Sequence, residues 1–448
     1  MTDTNYFGTD GIRGQVGTLP ITADFLLKLG WAVGKVFAAA GRVNVLIGKD
    51  TRVSGYLIES ALQAGLSAAG CNIHLSGPMP TPAIAYLTRA LRMQLGIVIS
   101  ASHNPYEDNG IKFFTEDGLK ISKETEEQIC HYLKMPIETV SSQHLGKAWR
   151  VRDAEGRYIE YCKSAIPHQT HFKNLKIILD CANGATYHIA PYVFSELGAE
   201  VTAINISPNG FNINMDGGST HPSVLQQAVL SNNADVGIAF DGDGDRVIMV
   251  DHRGEILDGD DILYIIAKGM LKTNRFSGGV VGTVMSNLGV EQALNHLGLA
   301  FLRVSVGDQN IIHALLEKNW SLGGEPSGHI ICRNVTTTGD GIIAALQVLE
   351  AVNATGQSLH ALKQDIKKLP QLLTNIRLAN STLNLHDPVI EAAIKQAETE
   401  LGKNGRILLR KSGTEPVVRL MIEGENEAQI EKISTVLKDT IESSITSS

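Results

Sequence analysis

Cysteines are scarce in this sequence, and no motif uses them. The 448 residues include five cysteines, and no two of them form a C-x-x-C pair. Scattered cysteines of this kind are typical of reduced thiols that fill core space, which argues against a zinc site or a disulfide framework. No hydrophobic run approaches the roughly 20 residues that a membrane span requires. Met1–Phe7 also lacks the basic and apolar regions of a signal peptide. We therefore expect a cytoplasmic protein with no membrane partner.

An excess of positive charge is also missing. The formal net charge is −8, whereas a nucleic-acid-binding protein needs a basic face. Nucleic acid is thus not an expected partner, and any phosphate site must be built from a local cluster of arginine and lysine. No Walker A sequence, no G-x-G-x-x-G after a strand and no G-x-S-x-G elbow is present. Their absence disfavours a nucleotide cradle and hydrolase-type acyl chemistry.

The sequence does contain a strand–helix unit that occurs three times. Each copy begins with a short β-branched run, and these runs are Val43–Ile47, Lys176–Leu179 and Gly279–Val284. A helical stretch, a second β run and a second helical stretch follow; in the second copy the first helix is predicted over Tyr187–Leu197. This alternation predicts α/β domains with largely parallel sheets and right-handed crossovers.

Each unit closes with a third β run that leads into an unusual loop. We call these the serine loop (residues 100–105), the aspartate loop (residues 241–246) and the glutamate loop (residues 324–329). Ligands of such sheets gather beyond the carboxyl ends of the strands. Because all three loops follow strand ends, we expect them to form one shared site.

The last part of the chain has a different pattern. Two helical stretches, near Pro388–Glu400 and Glu427–Ile441, accompany the β runs Arg406–Arg410 and Val417–Ile422. This arrangement predicts a smaller C-terminal α+β domain. The expected domains therefore span residues 1–154, 155–255, 256–367 and 368–448.

The aspartate loop has the composition of a magnesium site. Asp241, Asp243 and Asp245 alternate with glycine, and the glycines allow the backbone to curl so that the carboxylates converge. Three hard oxygen donors suit Mg²⁺. An EF-hand does not fit, because its sixth position would be Arg246 in place of glycine. An acidic turn that merely closes a strand is the alternative, but three close like charges repel unless a cation offsets them. Arg246 could pair with the carboxylates or reach a substrate phosphate.

The other loops are ambiguous when each is taken alone. Ser102 needs a base or a metal to become a nucleophile, and the serine loop could equally be a turn that bonds its own backbone. Arg410-Lys-Ser-Gly-Thr-Glu-Pro416 resembles an anion cradle, with an exposed hairpin tip as the alternative. The glutamate loop offers a carboxylate, a hydroxyl and an imidazole, or simply a Gly/Pro turn. Arg13, in a polar N-terminal turn, is a candidate phosphate ligand.

Taken together and in this order, the motifs resemble the α-D-phosphohexomutase family across nearly the whole chain. That family has an arginine-bearing N-terminal turn, a phosphoserine loop, a D-x-D-x-D-R metal loop, a G-E-x-S-G-H sugar loop and a C-terminal phosphate loop. Within the family, the opening Phe7–Gly14 and the segment Ser100–Phe114 are most similar to the subgroup that acts on glucosamine phosphate. Pro326 fits that subgroup, since enzymes acting on mannose or glucose phosphate usually have methionine there.

The resemblance implies four domains around a central cleft and a role for each motif. Phosphorylated Ser102 would exchange its phosphoryl group with a sugar monophosphate through a bound sugar 1,6-bisphosphate, which interconverts glucosamine 6-phosphate and glucosamine 1-phosphate. Mg²⁺ would be held by Ser102 and the three aspartates. The implied catalytic residues are Ser102, His103, Lys112, Arg246 and His329. The implied substrate-binding residues are Arg13, Glu325, Ser327, Arg410, Ser412, Gly413, Thr414 and Arg419.

Other functions remain open from the sequence. The chain could prefer mannose or glucose phosphate, could be a non-catalytic sugar-phosphate sensor, or could be a magnesium phosphatase. The expected partner is a small sugar phosphate, and a homodimer is left open. The amino group of the sugar has no evident ligand; Glu325 is our hypothesis, because a carboxylate complements an ammonium group.

Overall fold

A computed structural model of the chain shows four β-sheets in succession. The described residues are 6–38, 41, 43–377, 384–385, 387–411 and 417–446. The sheets have six, five, four and three strands in chain order. Each of them forms the centre of one domain.

The first domain is a six-stranded sheet with helices on both faces. Its strands are β1 (Ile12–Gln15), β2 (Asn44–Lys49), β3 (Asn72–Pro78), β4 (Leu95–Ile99), β5 (Asp108–Thr115) and β6 (Ala148–Arg150). Its helices are α1 (Ala23–Ala38), α2 (Ser54–Ala68), α3 (Thr81–Ala90) and α4 (Lys123–Tyr132), with a 3-10 turn at Ser142–His144. The order is β1-β5-β4-β2-β3-β6, and β2, β3, β4 and β6 run parallel. Pro82 lies in the first turn of α3, where a missing N–H costs little.

The second domain follows helix α5 (Ala154–Lys163). Its strands are β7 (Lys176–Asp180), β8 (Glu200–Ile204), β9 (Val236–Phe240), β10 (Val247–Asp251) and β11 (Ile256–Leu257), and its helices are α6 (Ala190–Glu196) and α7 (Pro222–Asn232). The start predicted for α6 is wrong by three residues. Residues 184–189 turn against the aspartate loop, where Ala185 N–H donates to Gly242 O at 2.8 Å. An earlier start would also have placed Pro191 inside the helix, where it removes a hydrogen bond.

The third domain repeats the unit with a four-stranded sheet. Its strands are β12 (Val280–Thr283), β13 (Phe301–Val304), β14 (Leu322–Gly324) and β15 (Ile330–Cys332). Its helices are α8 (Gly259–Lys272), α9 (Leu288–His296), α10 (Asp308–Lys318), α11 (Gly341–Thr355) and α12 (Leu359–Lys363). Helix α11 is buried from Gly341 to Ala351, as expected for a helix that is apolar on all sides.

The fourth domain is the predicted α+β unit. Strands β16 (Gln371–Arg377), β17 (Arg406–Lys411) and β18 (Val417–Glu423) form an antiparallel sheet, with β18 in the centre. Helices α13 (Pro388–Leu401) and α14 (Glu427–Thr446) pack on each other and on this sheet, and Gly402–Asn404 forms a 3-10 turn.

Hydrophobic packing joins the first three domains into one body. A single core contains Leu46 from the first sheet, Phe240 from the second and Leu322 from the third, together with the inner face of α11. The fourth domain has a separate small core around Leu420. Cys71, Cys162, Cys181 and Cys332 are buried, in agreement with the role of core filler predicted for the cysteines.

The prediction of α/β domains with largely parallel sheets is confirmed, and one regularity was not foreseen. In each of the first three sheets, the strand that follows each loop returns antiparallel to the strand before it: β4 with β5, β9 with β10, and β14 with β15. Each loop is therefore the tip of a hairpin at the carboxyl end of a parallel strand. No helix among the described residues is long and apolar enough to span a membrane.

Candidate active site

The serine loop and the aspartate loop meet through a hydrogen bond between two domains. Ser102 Oγ donates to Asp241 Oδ2 at 2.6 Å, and both residues are almost completely buried. Ser102 has a φ of 55°, a left-handed conformation that is uncommon for a residue with a Cβ. The hydroxyl thus bonds the predicted metal loop, and not its own backbone as a simple turn would require.

The three carboxylates of the aspartate loop converge. Oxygens of Asp241, Asp243 and Asp245 all lie within 4.8 Å of one another, and all three residues are buried. Burial and the charges of Asp245 and Asp243 raise the pKa of Asp241 well above its ordinary value. Asp243 Oδ1 and Asp245 Oδ1 have no hydrogen-bond partner among the described residues. Buried oxygens without donors fit a divalent cation, because such a cation supplies the missing positive charge.

Lys112 compensates part of this negative charge. Its ammonium donates to Asp243 Oδ2 at 2.9 Å and to Asp245 Oδ2 at 3.1 Å. Burial alone would lower the pKa of Lys112, but Asp10, Asp243 and Asp245 raise it well above its ordinary value. Lys112 therefore keeps its positive charge beside the aspartate loop. Among the described residues its hydrogen bonds go to that loop and not to Ser102.

A group of charged residues that sequence reasoning missed extends from Lys112 into the third domain. Asp10 Oδ2 lies 3.3 Å from Lys112 Nζ, and Asp10 also forms an ion pair with Arg13. Lys120 Nζ lies 2.5 Å from Asp10 Oδ1 and 2.5 Å from Asp308 Oδ2. Asp308 begins α10, so Lys120 links the first domain to the third. The only signal for Asp10 in the sequence is that it belongs to the same N-terminal turn as Arg13.

His103 and Arg246 form a pair beside Ser102. Arg246 Nη1 lies 3.1 Å from His103 Nδ1, and because a guanidinium has no acceptor, Nδ1 must accept. Burial, with the charges of Arg246 and Arg13, lowers the pKa of His103 to about 4. His103 is consequently neutral near pH 7. Its Nδ1 lies 3.4 Å from Ser102 Oγ.

The three polar side chains of the glutamate loop have different surroundings. Ser327 Oγ donates to Glu325 Oε1 at 2.8 Å, so these two side chains form one polar unit. His329 is buried, and its Nε2 accepts from Gly339 N–H at 3.1 Å. The ring proton therefore lies on Nδ1, which is 3.8 Å from Asp245 Oδ1. His329 therefore faces Asp245 of the aspartate loop, whereas Glu325 bonds within its own loop.

A cleft of about 630 Å³ adjoins this group of residues. Its lining includes Arg13, Asp245, Arg246, Glu325 and His329, which come from three domains. The Nε atoms of Arg13 and Arg246 are buried with no hydrogen-bond partner among the described residues. Unsatisfied guanidinium donors in a cleft provide the local positive charge that an anionic substrate needs on a chain of net charge −8.

Comparison with protein families accounts for all four domains. The models of phosphoglucomutase/phosphomannomutase domains I, II, III and IV match residues 4–138, 156–254, 258–369 and 373–439, in that order. The chain belongs to the phosphoglucomutase/phosphomannomutase family. The resemblance to the α-D-phosphohexomutases inferred from the loop motifs is thereby confirmed.

Relatives within this phosphohexomutase family are similar over nearly their full length. A phosphoglucosamine mutase of Hahella chejuensis is 56% identical over 441 residues, which cover 98% of this chain and 99% of the relative. A family protein of known structure from Burkholderia thailandensis has a TM-score of 0.81 at 24% identity, covering 99% of this chain and 98% of that one. An N-acetylphosphoglucosamine mutase of Aspergillus fumigatus, solved with GlcNAc-6P and magnesium, has a TM-score of 0.70 at 17% identity and covers 98% and 96%.

The fourth domain of this phosphohexomutase contributes two arginines that face each other. Arg410 on β17 is the register partner of Arg419 on β18. Burial and the charge of Arg419 lower the pKa of Arg410, and Arg410 Nε has no partner among the described residues. Like charges opposite each other in a sheet are destabilising unless an anion bridges them. The predicted ligands Ser412, Gly413 and Thr414 lie outside the described residues.

A second group of potential metal ligands lies away from the cleft loops. Oxygens of Asp251 and Glu255 and a ring nitrogen of His360 lie within 4.8 Å of one another. Here, however, two of the three side chains contact each other and the third pairs with a lysine. His360 Nδ1 lies 2.8 Å from Asp251 Oδ2, and Lys363 pairs with Glu255 at 2.9 Å. These contacts tie α12 to the β10–β11 hairpin, and they contrast with the unpaired oxygens of the aspartate loop.

Proposed function

We propose that the chain interconverts glucosamine 6-phosphate and glucosamine 1-phosphate through a phosphoserine at Ser102. The observation that carries the proposal is the hydrogen bond from Ser102 Oγ to Asp241 Oδ2, in loops adjoining a cleft whose lining includes Arg13, Asp245 and Glu325. A nucleophile, an acidic metal loop and phosphate-directed arginines are the parts that phosphoryl transfer requires. The choice of glucosamine phosphate rests on the name of the Hahella chejuensis relative, at 56% identity.

The proposed reaction transfers one phosphoryl group out and another back. The bond between phosphorus and Ser102 Oγ breaks as a sugar hydroxyl oxygen bonds to that phosphorus; the hydroxyl loses its proton and Ser102 Oγ gains one, which gives a sugar 1,6-bisphosphate. After the bisphosphate reorients, Ser102 Oγ bonds to the other phosphorus as the bond from that phosphorus to its sugar oxygen breaks; the serine loses its proton and the released sugar oxygen gains one. In the unphosphorylated chain, Ser102 Oγ donates that proton in a hydrogen bond to Asp241 Oδ2. The sugar monophosphate formed has the phosphate on the other oxygen.

The aspartate loop is proposed to hold Mg²⁺ through Asp241, Asp243 and Asp245, with Ser102 as a further ligand. When bound, the cation offsets the negative charge that develops on the transferring group. Lys112 and Arg246 supply fixed positive charge on either side of the loop. His103 is neutral, and it is a proton acceptor only when Arg246 releases Nδ1. His329 presents its Nδ1 proton toward Asp245.

Substrate orientation is assigned to residues other than the nucleophile and the aspartate loop. Arg410 and Arg419 are proposed to bind the phosphate that does not react, together with Ser412, Gly413 and Thr414. Glu325 and Ser327 are proposed to face the sugar, and Arg13 to contact a phosphate from the first domain. Binding energy from these contacts would keep the reacting oxygen aligned with phosphorus. We further propose a cytoplasmic location, for which the sequence-based expectation of reduced cysteines is the support.

Turnover of three sugar phosphates tests the proposal directly. With Mg²⁺ and a trace of sugar bisphosphate, kcat/KM should be largest for glucosamine 6-phosphate when compared with glucose 6-phosphate and mannose 6-phosphate. Ser102→Ala should abolish turnover. The matched control is Ser164→Ala, because Ser164 is an exposed serine whose hydroxyl donates to Tyr161 O.

Each alternative function has its own outcome in this assay. A preference for mannose or glucose phosphate would refute the sugar assignment and retain the reaction. Release of inorganic phosphate without a sugar-phosphate product would indicate a phosphatase, and a stable phosphate on purified Ser102 would argue against one. No turnover of any sugar phosphate would favour a sensor.

A further inference from the structure

Two side chains from different domains hold the same two backbone carbonyls of the serine loop. Arg52 Nη2 donates to Ser102 O at 2.8 Å and to Asn104 O at 2.9 Å. Asn214 Nδ2 donates to the same oxygens at 2.9 Å and 3.0 Å. Arg52 lies between β2 and α2 of the first domain, whereas Asn214 lies between β8 and α7 of the second. Neither residue is part of the motifs that indicated the site.

Arg52 is itself held in a closed ring of hydrogen bonds. Its Nε donates to Asp50 Oδ2 at 2.9 Å, and Ser100 Oγ donates to the same oxygen at 2.6 Å. Ser100 Oγ in turn accepts from Ser102 N–H at 2.9 Å. Arg52, Ser100 and Asp50 are fully or almost fully buried. The first domain therefore fixes the serine loop from both its N–H and its C=O side.

Asn214 adds a contact that depends on the second domain. The space around it is tightly filled, since a Cβ added to Gly242 would lie 2.7 Å from Ser102 O and 2.8 Å from Asn214 Nδ2. Gly242 lies between two of the metal-loop aspartates. The carbonyl of Ser102, the amide of Asn214 and the backbone of the aspartate loop consequently pack together as a unit.

These contacts matter because the backbone at Ser102 is unfavourable by itself. A φ of 55° is a conformation in which a side chain crowds the following carbonyl, so a free loop would seldom adopt it. Strained backbone persists where the surrounding structure over-determines it. At Ser102, the four hydrogen bonds to the carbonyls of Ser102 and Asn104 hold the backbone in this conformation. The same conformation directs Oγ to Asp241.

We propose that Arg52 and Asn214 are positioning residues for phosphoryl transfer, and that Asn214 aligns Ser102 of the first domain with the aspartate loop of the second. The inference rests on the proposed function of Ser102. Neither side chain is among the residues that line the cleft, so their loss should affect the alignment of the nucleophile and not the binding of the sugar phosphate.

The test compares Asn214→Ala with Asn212→Ala. Asn212 lies two residues away in the same segment, and the partners of its side chain among the described residues, Ser207 and Asn209, lie in that segment too. We measure kcat and KM for sugar phosphate per folded enzyme. We also measure hydrogen–deuterium exchange of residues 99–105 in the full chain by mass spectrometry.

Asn214→Ala is expected to lower kcat on the order of 100-fold, which is the effect of misplacing a reacting group by about 1 Å. Its KM should stay within about twofold of wild type, because binding in the ground state is untouched. Exchange of residues 99–105 should increase. Asn212→Ala should match wild type in all three measurements. Arg52→Lys, which retains a cation for Asp50 but fewer donors, should give an intermediate kcat.

The outcomes separate this inference from the proposed function. Wild-type kcat and exchange in Asn214→Ala would overturn the inference while the reaction stands, and so would a loss of activity that a smaller amount of folded enzyme explains completely. An increase in KM as large as the decrease in kcat would also overturn it. If the wild type turned over no sugar phosphate, the proposed function would be wrong, and the exchange comparison would decide whether Asn214 holds the loop.

Discussion

Replacing one carboxylate of the aspartate loop should abolish magnesium binding without unfolding the metal-free protein. The perturbation is Asp243→Asn. At an effective dielectric constant of about 20, two unit charges at the outer limit of 4.8 Å repel each other by about 3.5 kcal/mol. Asp243 experiences this repulsion from Asp245, and from Asp241 whenever that carboxyl is ionised, which its raised pKa opposes. Lys112 Nζ, 2.9 Å away, attracts it by about 5.7 kcal/mol on the same scale.

Because these contributions nearly cancel, the metal-free variant should be as stable as the metal-free wild type to within about 2 kcal/mol. The difference should appear only when magnesium is added. A ligand at 100 times its dissociation constant stabilises the folded state by about 2.7 kcal/mol. With an unfolding entropy of about 2.1 cal/mol/K per residue over the roughly 370 residues of the first three domains, that corresponds to a rise in Tm of about 3–4 °C. Asp243→Asn should lose most of this rise.

Differential scanning fluorimetry over a magnesium titration, with EDTA as the zero point, measures both quantities. The control variant is Glu255→Gln, in the second group of potential ligands, where Lys363 already balances the charge. It should retain the full magnesium response. A response that survives in Asp243→Asn but disappears in Glu255→Gln would refute the assignment of the cation to the aspartate loop.

Three further predictions concern the phosphate contact of Arg410, the dependence of stability on pH, and the sugar contact of Glu325. Arg410→Ala should raise KM by about tenfold or more, the value of one charged hydrogen bond, whereas Arg377→Ala on the same sheet should not; equal KM values would contradict a phosphate contact. Burial and Asp258 raise the pKa of Asp260 to about 7, so its contribution to stability is complete below the ordinary carboxyl pKa and is lost as pH rises through about 7. Asp260→Asn should therefore flatten the fall of Tm between about pH 4 and about pH 7, and an unchanged slope would refute this. Glu325→Gln should reduce kcat/KM for glucosamine phosphate more than for glucose phosphate, and equal losses would exclude Glu325 as the ligand of the amino group.

The parts of the site that could be predicted from the sequence are those formed by residues close together in the chain. Alternating Asp241, Asp243 and Asp245 indicated a convergent acidic loop, and the structure brings their oxygens together. The strand–helix repeat indicated that the serine, aspartate and glutamate loops form one shared site, and the structure brings Ser102 to Asp241 and His329 to within 3.8 Å of Asp245. In these cases the chemistry depends on residues close together in the chain.

Contacts between distant residues left no such pattern. Ser102 and Asn214 are 112 residues apart, and the bond joins a side chain to a backbone carbonyl, an acceptor that every residue possesses. Lys120 pairs with Asp308 across two domains, and as single residues both were typical of surface charge. One missed element did have a signal: Asp258 and Asp261 form the capping box of α8, a spacing that marks a helix start.

Strand β17 carries a consequence for how the fourth domain meets the substrate. Near its base, Arg406 donates to Val284 O at 2.9 Å and to Ser286 O at 2.7 Å in the third domain. Arg410 lies four residues further along the same strand, about 14 Å away. If the fourth domain rotated about the contacts of Arg406, the far end of the strand would therefore move most. A rotation of only about 10° there would carry Arg410 through about 2.4 Å over that length, which is nearly a hydrogen-bond length.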